Sequence, residues 1–331
     1  MVRARIVGTG GYVPERVVTN HDLAERMDTS DEWIRQRSGI EERRWVTDET
    51  AADLAEQAAR RALARAGLEP GDIDCIVLAT LSAHAEFPGT SFFLQERLDC
   101  GEIPCFDLRA QCSGFLFGLA TADSFIRAGQ FRRVLLVGCE VHSTGLDISD
   151  RGRAVSVLFG DGAGAVVLEG SEKDDAGILE VRMHAEGRHA RRLWIEAPGT
   201  GYPGPRLTEE HVRSGRIYPV MEGRFVFKHA VTRMPEVLLE TLHAASLKLE
   251  DVDLFLFHQA NLRINEYVMG QLGIPPEKAP SNIQRYGNCS AASIPLLLAE
   301  ADEAGRLTPG TLVSMTAFGS GFSWASAVAR L

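Results

Sequence analysis

Cys112 stands between an apolar, strand-like run, Ile103-Pro-Cys-Phe-Asp-Leu, and a helix-forming one, Gly114-Phe-Leu-Phe-Gly-Leu-Ala-Thr-Ala-Asp. A helix that begins at a cysteine aims its unpaired N–H groups and the positive end of its dipole at the sulfur, which favours thiolate over thiol. Gly114 and Gly118 are expected to leave room above that sulfur for a substrate or a second backbone. A buried core cysteine gives the same pattern, so the stretch alone leaves both readings open. His258 closes the apolar run Leu254-Phe-Leu-Phe, which predicts its ring at the carboxyl edge of a sheet; a structural histidine fits there too. Asn288 opens Asn-Cys-Ser-Ala-Ala-Ser, where capping a helix would by itself account for it. Trp33 and Arg37, at i, i+4, pair an aromatic ring with a guanidinium, which suits a nucleotide and equally makes a surface cation–π pair.

The elements that must position these residues recur. A helical pattern from Ala51 to Gly67 leads into the buried strand Asp72-Ile-Asp-Cys-Ile-Val-Leu-Ala-Thr, and a helix from Pro235 to Ser246 leads into Leu249-Glu-Asp-Val-Asp-Leu-Phe-Leu-Phe-His258. Gln111-Cys-Ser-Gly-Phe runs into a helix ending at Ala128-Gly129, as Asn288-Cys-Ser-Ala-Ala-Ser runs into one ending at Ala304-Gly305. Arg133-Val-Leu-Leu-Val-Gly has its counterpart in Thr311-Leu-Val-Ser-Met-Thr. One order repeated at an offset of about 180 residues predicts two duplicated α/β halves, residues 1–184 and 185–331, whose equivalent strand ends meet at one central site. Gly160-Asp-Gly-Ala-Gly lacks the lysine of a phosphate loop and runs into a strand, so it reads as a turn for close backbone packing. The irregular segment Glu186 to Arg224, rich in arginine, glycine and proline, is expected to be a lid or pocket wall.

Bulk properties narrow the function. A net charge of −10 argues against a nucleic acid or an anionic membrane as main partner, and an acidic partner would need a local basic patch. The six cysteines lie mostly in apolar runs and form no CxxC pair, which predicts a reducing compartment with neither disulfides nor a zinc site. The N-terminus breaks into glycine and proline before an apolar region of signal-peptide length develops, and no segment approaches a membrane span. The expectation is a cytoplasmic protein.

Taken together the motifs resemble the β-ketoacyl-acyl-carrier-protein synthase III family of thiolase-fold condensing enzymes. The similar stretches cover nearly the full length: Asp31-Glu-Trp-Ile with Arg37-Ser-Gly-Ile, the Cys112 elbow, Asp150-Arg-Gly, Phe159-Gly-Asp-Gly-Ala-Gly, Met221-Glu-Gly-Arg-Phe-Val-Phe-Lys, His258-Gln-Ala-Asn-Leu-Arg, Gly287-Asn-Cys-Ser-Ala-Ala-Ser and Ala317-Phe-Gly-Ser-Gly-Phe-Ser-Trp. The resemblance implies a duplicated thiolase-like fold layered α/β/α/β/α, and Cys112, His258 and Asn288 as the catalytic set. It also prefers Cys112 to Cys289, which falls where the family usually has threonine. By the same resemblance, an acyl-CoA primer acylates Cys112, backbone N–H groups of Cys112 and Ser320 hold the oxyanion, and malonyl-acyl carrier protein is decarboxylated and condensed in fatty acid initiation. Trp33, Arg37 and Arg151 would hold the CoA adenine and phosphates, and Asn261 the pantetheine arm. Arg263, with Arg224 and Lys228, would form the basic patch for the carrier protein; a solvated face is the plainer account of those cations. Phe87 would cross a homodimer interface into the partner's acyl pocket. The implied chemistry uses no cofactor or metal, CoA thioester being substrate.

Gln111, Ser113, Ser320 and His229 depart from the family's usual small or apolar residues, and the 186–224 segment is long, all of which leaves the primer open. A starter condensation or acyl transfer in polyketide or secondary-lipid biosynthesis would use the same three residues. A degradative thiolase would need a second cysteine near Gly319-Ser-Gly-Phe, which has none, and a type III polyketide synthase is usually longer and ends in a different glycine motif. A non-catalytic thioester-binding subunit would be expected to have lost its nucleophile.

Overall fold

The computed structural model describes residues 2–172 and 176–331. The first sheet is built from β1 (Arg3–Tyr12), β2 (Cys75–Ala79), β3 (Cys105–Leu108), β4 (Arg133–Glu140) and β5 (Gly162–Ser171), in the order β1-β5-β4-β2-β3. The second comprises β6 (Gly177–Ala185), β9 (Leu254–Phe257), β10 (Leu312–Gly319) and β11 (Ser323–Arg330), in the order β6-β11-β10-β9; β7 (Leu193–Trp194) and β8 (Val220–Met221) form a separate ribbon. Three pairings recur in the same order. β2 and β4 run parallel, as do β9 and β10, while β4–β5–β1 and β10–β11–β6 are antiparallel. The predicted duplication is therefore present, except that among the described residues nothing in the second sheet corresponds to the edge strand β3. Residues 177–184, placed by the sequence reading in the first half, belong to β6, which is hydrogen-bonded to β11 of the second sheet.

The apolar patterns account for the layering. β2 and β9 are buried along their whole length, as parallel strands covered on both faces must be. Between the sheets lie α4 (Gly114–Arg127) and α7 (Ser293–Glu303), whose Leu116, Leu119, Ile294 and Leu297 share one core with residues of both sheets. Outside the first sheet pack α2 (Ala51–Ala66) and α3 (Thr90–Leu98). The outer face of the second carries α5 (Gly223–Ala244) and α6 (Leu262–Leu272). Helix α1 (Asp31–Ser38) stands apart, in a smaller cluster with Trp45 and Phe159. The arrangement is α/β/α/β/α.

Two corrections concern α4. The α-helix begins at Gly114, and Cys112 lies in the 3-10 turn Gln111–Ser113 before it. Gly114 and Gly118 do not open space above the sulfur: Cβ atoms there would meet Ala79 and Leu136 of the sheet beneath, so these glycines seat the helix on β2 and β4. The glycine that makes room for the cysteine is Gly319, where a Cβ would sit 2.8 Å from Cys112 Cβ.

Candidate active site

Each of the two central helices is preceded by a 3-10 elbow, Gln111–Ser113 and Ser290–Ala292. Both start on a residue forced into the left-handed region, Gln111 at φ 45° and Ser290 at φ 41°. This fixes the register of the duplication: the equivalent of Cys112 is Ala291, not Cys289. Cys289 packs with Ala292 and Leu296, and its thiol faces the Tyr286 carbonyl.

Cys112, His258 and Asn288 line one cavity of about 470 Å³. His258 follows the end of β9; its N–H donates to Thr316 O (2.9 Å), and Asn265 Nδ2 donates to its carbonyl. Both ring nitrogens are buried and have no partner among the described residues. Two orphaned imidazole nitrogens facing a cavity are a costly arrangement unless a ligand oxygen fills it. Burial, reinforced by His142, lowers the His258 pKa to about 3, so the ring is neutral and keeps one N–H to donate. Asn288 Oδ1 accepts from Ser290 N–H at 2.9 Å, a bond inside the second elbow, which leaves the Nδ2 amide as the free donor.

The thiol behaves otherwise than the helix-dipole argument predicts. Burial pushes the Cys112 pKa up to about 12, and Glu140 adds to the rise; the Ser290 hydroxyl and the backbone N–H groups of Cys112 and Ser320 oppose it. A dipole contributes roughly 0.3–1 kcal/mol, whereas burying an unpaired anion costs several. Glu140 is itself buried and raised to about 7 by desolvation, despite bonds from Ser82, Leu81 and Thr80. The backbone N–H groups of Cys112 and Ser320 oppose the rise at the thiol, which makes them candidate donors to an oxyanion once the sulfur carries an acyl group.

At the other end of the cavity stand Trp33, Arg37, Asn261 and Arg224. The Arg37 guanidinium lies 4.2 Å from the Trp33 ring centroid. Arg151, expected beside them, does not line the cavity; it pairs with Asp147 and faces Tyr218. Arg153, which the sequence reading missed, takes the second place over Trp33 at 5.1 Å. Asn261 caps α6 through Arg263 N–H and donates to Arg37 O, so it ties that helix to the end of α1. Arg263 reaches Gln36 O and Glu266, while Arg224 and Lys228 are exposed one turn apart on α5. Phe87 is 81% exposed and lines neither of the two cavities that Cys112 lines.

A second cavity, about 330 Å³, lies on another side of Cys112, between Arg109, Gln111, His142, Ser290 and the β7 ribbon. Leu193 and Trp194 of that ribbon make the 186–224 segment a pocket wall. His229 instead stacks on Phe225 near His189 and Phe322, away from both cavities. His142 was missed, although it follows β4 as His258 follows β9. Among the described residues no cluster of His, Cys, Asp or Glu could hold a metal ion, and no helix is long and apolar enough to cross a membrane.

Comparison with known proteins identifies the family and the fold. Family models described as 3-oxoacyl-(acyl-carrier-protein) synthase III and its C-terminal part match residues 106–187 and 242–331. A β-ketoacyl-(acyl-carrier-protein) synthase III of Alkalilimnicola ehrlichii is 46% identical over 339 residues, covering 100% of both chains. The crystal structure of 3-oxoacyl-(acyl-carrier-protein) synthase III from Aquifex aeolicus superposes with a TM-score of 0.90 at 44% identity, covering 99% of this chain and 100% of that one. The priming β-ketosynthase of a polyketide pathway also superposes with a TM-score of 0.90, at 33% identity, covering 99% and 96%. With the duplicated sheets, the cysteine elbow and a full-length relative at this identity all in agreement, the chain belongs to the β-ketoacyl-acyl-carrier-protein synthase III family of thiolase-fold condensing acyltransferases.

Proposed function

We propose that the chain condenses an acyl-CoA primer with malonyl-acyl carrier protein in two half-reactions at one sulfur, initiating fatty acid synthesis. The Cys112 sulfur attacks the primer thioester, backbone N–H groups of Cys112 and Ser320 hold the tetrahedral oxyanion, and CoA leaves as its thiol carrying the cysteine proton. Malonyl thioester then takes CoA's place. Loss of CO2 leaves an enolate, so the site needs donors to the thioester oxygen and no strong base. A neutral His258 N–H and the Asn288 Nδ2 amide supply them. The enolate carbon attacks the acyl carbonyl and expels the Cys112 thiolate, giving a β-ketoacyl-acyl carrier protein. No cofactor enters this sequence.

The supporting observation is that Cys112, the orphaned ring of His258 and Asn288 share one cavity that also reaches Trp33 and Arg37. Trp33, Arg37 and Arg153 are assigned to CoA, with Asn261 beside the pantetheine arm. Arg224, Lys228 and Arg263, grouped around the start of α5 and α6, are assigned to the acidic carrier protein. A homodimer through the open edge β3 fits the exposed Phe87 and Phe106, with Phe87 entering the partner's second cavity. Six free thiols favour a reducing, cytoplasmic setting.

Intact-protein mass spectrometry with acyl-CoAs of increasing length is expected to give one acyl adduct, on Cys112, and addition of 14C-malonyl-acyl carrier protein to release 14CO2 and discharge it. Acyl transfer without CO2 release, or an adduct on Cys289, would sink the proposal. A starter condensation for polyketide or secondary-lipid chains is the second reading, favoured by the second cavity, which has room for more than an acetyl group. Preferential loading of long or branched primers would select it.

A further inference from the structure

We propose that His142, acting through Ser290, is a positioning residue for the Cys112 sulfur: a hydrogen-bond chain from His142 Nε2–H to Ser290 Oγ, and from Ser290 O–H to Cys112 Sγ, approaches the sulfur from the side of the second cavity. The proposal rests on reading Cys112 as the nucleophile. His142 Nε2 lies 2.9 Å from Ser290 Oγ, both residues line the second cavity with Cys112, and the Ser290 hydroxyl is among the groups that lower the pKa of the Cys112 thiol. All three residues are buried. Ser290 is the left-handed first residue of the second elbow, held there by its N–H bond to Asn288 Oδ1. The His142 ring packs 4.6 Å from that of Phe159, and its backbone N–H donates to Asp161 Oδ1 at 2.7 Å.

A serine hydroxyl by itself can turn its proton to any acceptor. When a neutral imidazole donates to Oγ, the serine proton is directed to the remaining acceptor, the sulfur. The sulfur needs such donors. The charged groups around the sulfur are Glu140, which raises its pKa, Arg109 in the second cavity, and Arg37 and Arg224 in the first, with Asp161 beside His142; the largest opposing cause is the Ser290 hydroxyl and not a cation. What opposes the rise in the thiol pKa is hydrogen bonding, from Ser290 first and then from the backbone N–H groups of Cys112 and Ser320. In acylation the thiol proton leaves on the CoA sulfur, so the chain orients and stabilises without consuming a proton. The second elbow, which carries no nucleophile, then serves both half-reactions: Asn288 for the enolate and Ser290 for the sulfur.

The test is the pH profile of Cys112 alkylation by iodoacetamide in the primer-free enzyme, read on the Cys112 peptide by mass spectrometry. His142→Leu and Ser290→Ala are each expected to raise the thiol pKa further and so to slow labelling about tenfold across the accessible pH range, neutral pH included. The double variant should be no worse than either single, because one chain is broken in each. His142→Gln, which returns an N–H near the Nε2 position, should recover most of the rate; His142→Asn, one carbon shorter, should not. A His142→Leu profile that superimposes on wild type, or a shift in Ser290→Ala alone, would overturn the proposal. Should His142→Leu fail to fold, Ser290→Ala and the Gln and Asn pair decide it. An acyl adduct on a residue other than Cys112 would instead discard the reading of the site itself.

Discussion

The two elbows share a backbone and differ in chemistry. Gln111-Cys112-Ser113 and Ser290-Ala291-Ala292 each begin with a left-handed residue and lead into a helix packed between the sheets. Each is received by a glycine of the opposite half: Gly319 at the end of β10 faces Cys112, and Gly138 in β4 faces Ala291, where a Cβ would lie 2.3 Å from the Ala291 carbonyl oxygen. The duplicated fold thus offers two equivalent positions at one centre. Only the first carries a nucleophile; in the second, the residues flanking Ala291 supply an amide and a hydroxyl. The comparison teaches that the fold provides the turn and the convergence, while the side chains divide the work.

Removing the nucleophile should break this asymmetry most severely. Cys112→Ala is expected to abolish the acyl adduct and lower turnover by ~10³-fold or more, whereas Cys289→Ala, in the core beside the second elbow, should keep the adduct and cost ~1 kcal/mol of stability in a denaturant titration. Next come the second half's donors: His258→Ala or Asn288→Ala should slow malonyl decarboxylation ~10²–10³-fold, measured as 14CO2 release, while Cys112 still accepts a primer. Overpacking either receiving glycine should follow, with Gly319→Ala and Gly138→Ala each destabilising by ~1–3 kcal/mol. Gly319→Ala should also slow Cys112 acylation, because its new methyl meets the cysteine itself.

The pH dependence sharpens the same contrast. His258 has its pKa lowered to about 3, so it stays neutral over the working range, and decarboxylation by the preacylated enzyme should be flat from about pH 5 to 8. Primer loading should rise with pH over that range, since the Cys112 thiol is raised to about 12. For stability the sign is set by protons bound. His142 and His258 are held neutral when folded and bind protons near pH 6.5 when unfolded, so together they contribute a loss of stability as pH falls from about 6.5 toward 3. Glu140, raised to about 7, acts in the opposite sense between about pH 7 and 4.5. His142→Leu should flatten the acid limb of a thermal-unfolding series. The smallest effect is expected at the left-handed position of the first elbow, where Gln111→Gly relieves φ 45° and should change stability by no more than ~1 kcal/mol.

Much of this was legible in the chain. The repeated apolar runs Cys75-Ile-Val-Leu-Ala and Leu254-Phe-Leu-Phe pointed to the duplicated sheets, because a parallel strand covered on both faces must be apolar throughout. Three things escaped. The repeat was aligned two residues out at the second elbow, since Cys-Ser occurs at both places and only backbone conformation separates Ala291 from Cys289. Arg151 was preferred to Arg153 because neighbouring arginines look alike until Asp147 claims one and Trp33 the other. The cysteine was expected to favour thiolate, as its place before a helix suggests, but the degree of burial cannot be read from a run of letters.

The sequence by itself determined the strands and helices, the duplication and the three side chains with the right chemistry, because those follow from local apolar periodicity and from residue type. Tertiary structure alone decided which glycine receives the sulfur, that burial raises the thiol pKa, that both nitrogens of His258 lack a partner among the described residues, and that His142 reaches Ser290. Those depend on distances across the interface between the halves and on exclusion of water from it, and neither exists until the two sheets close on the helices between them.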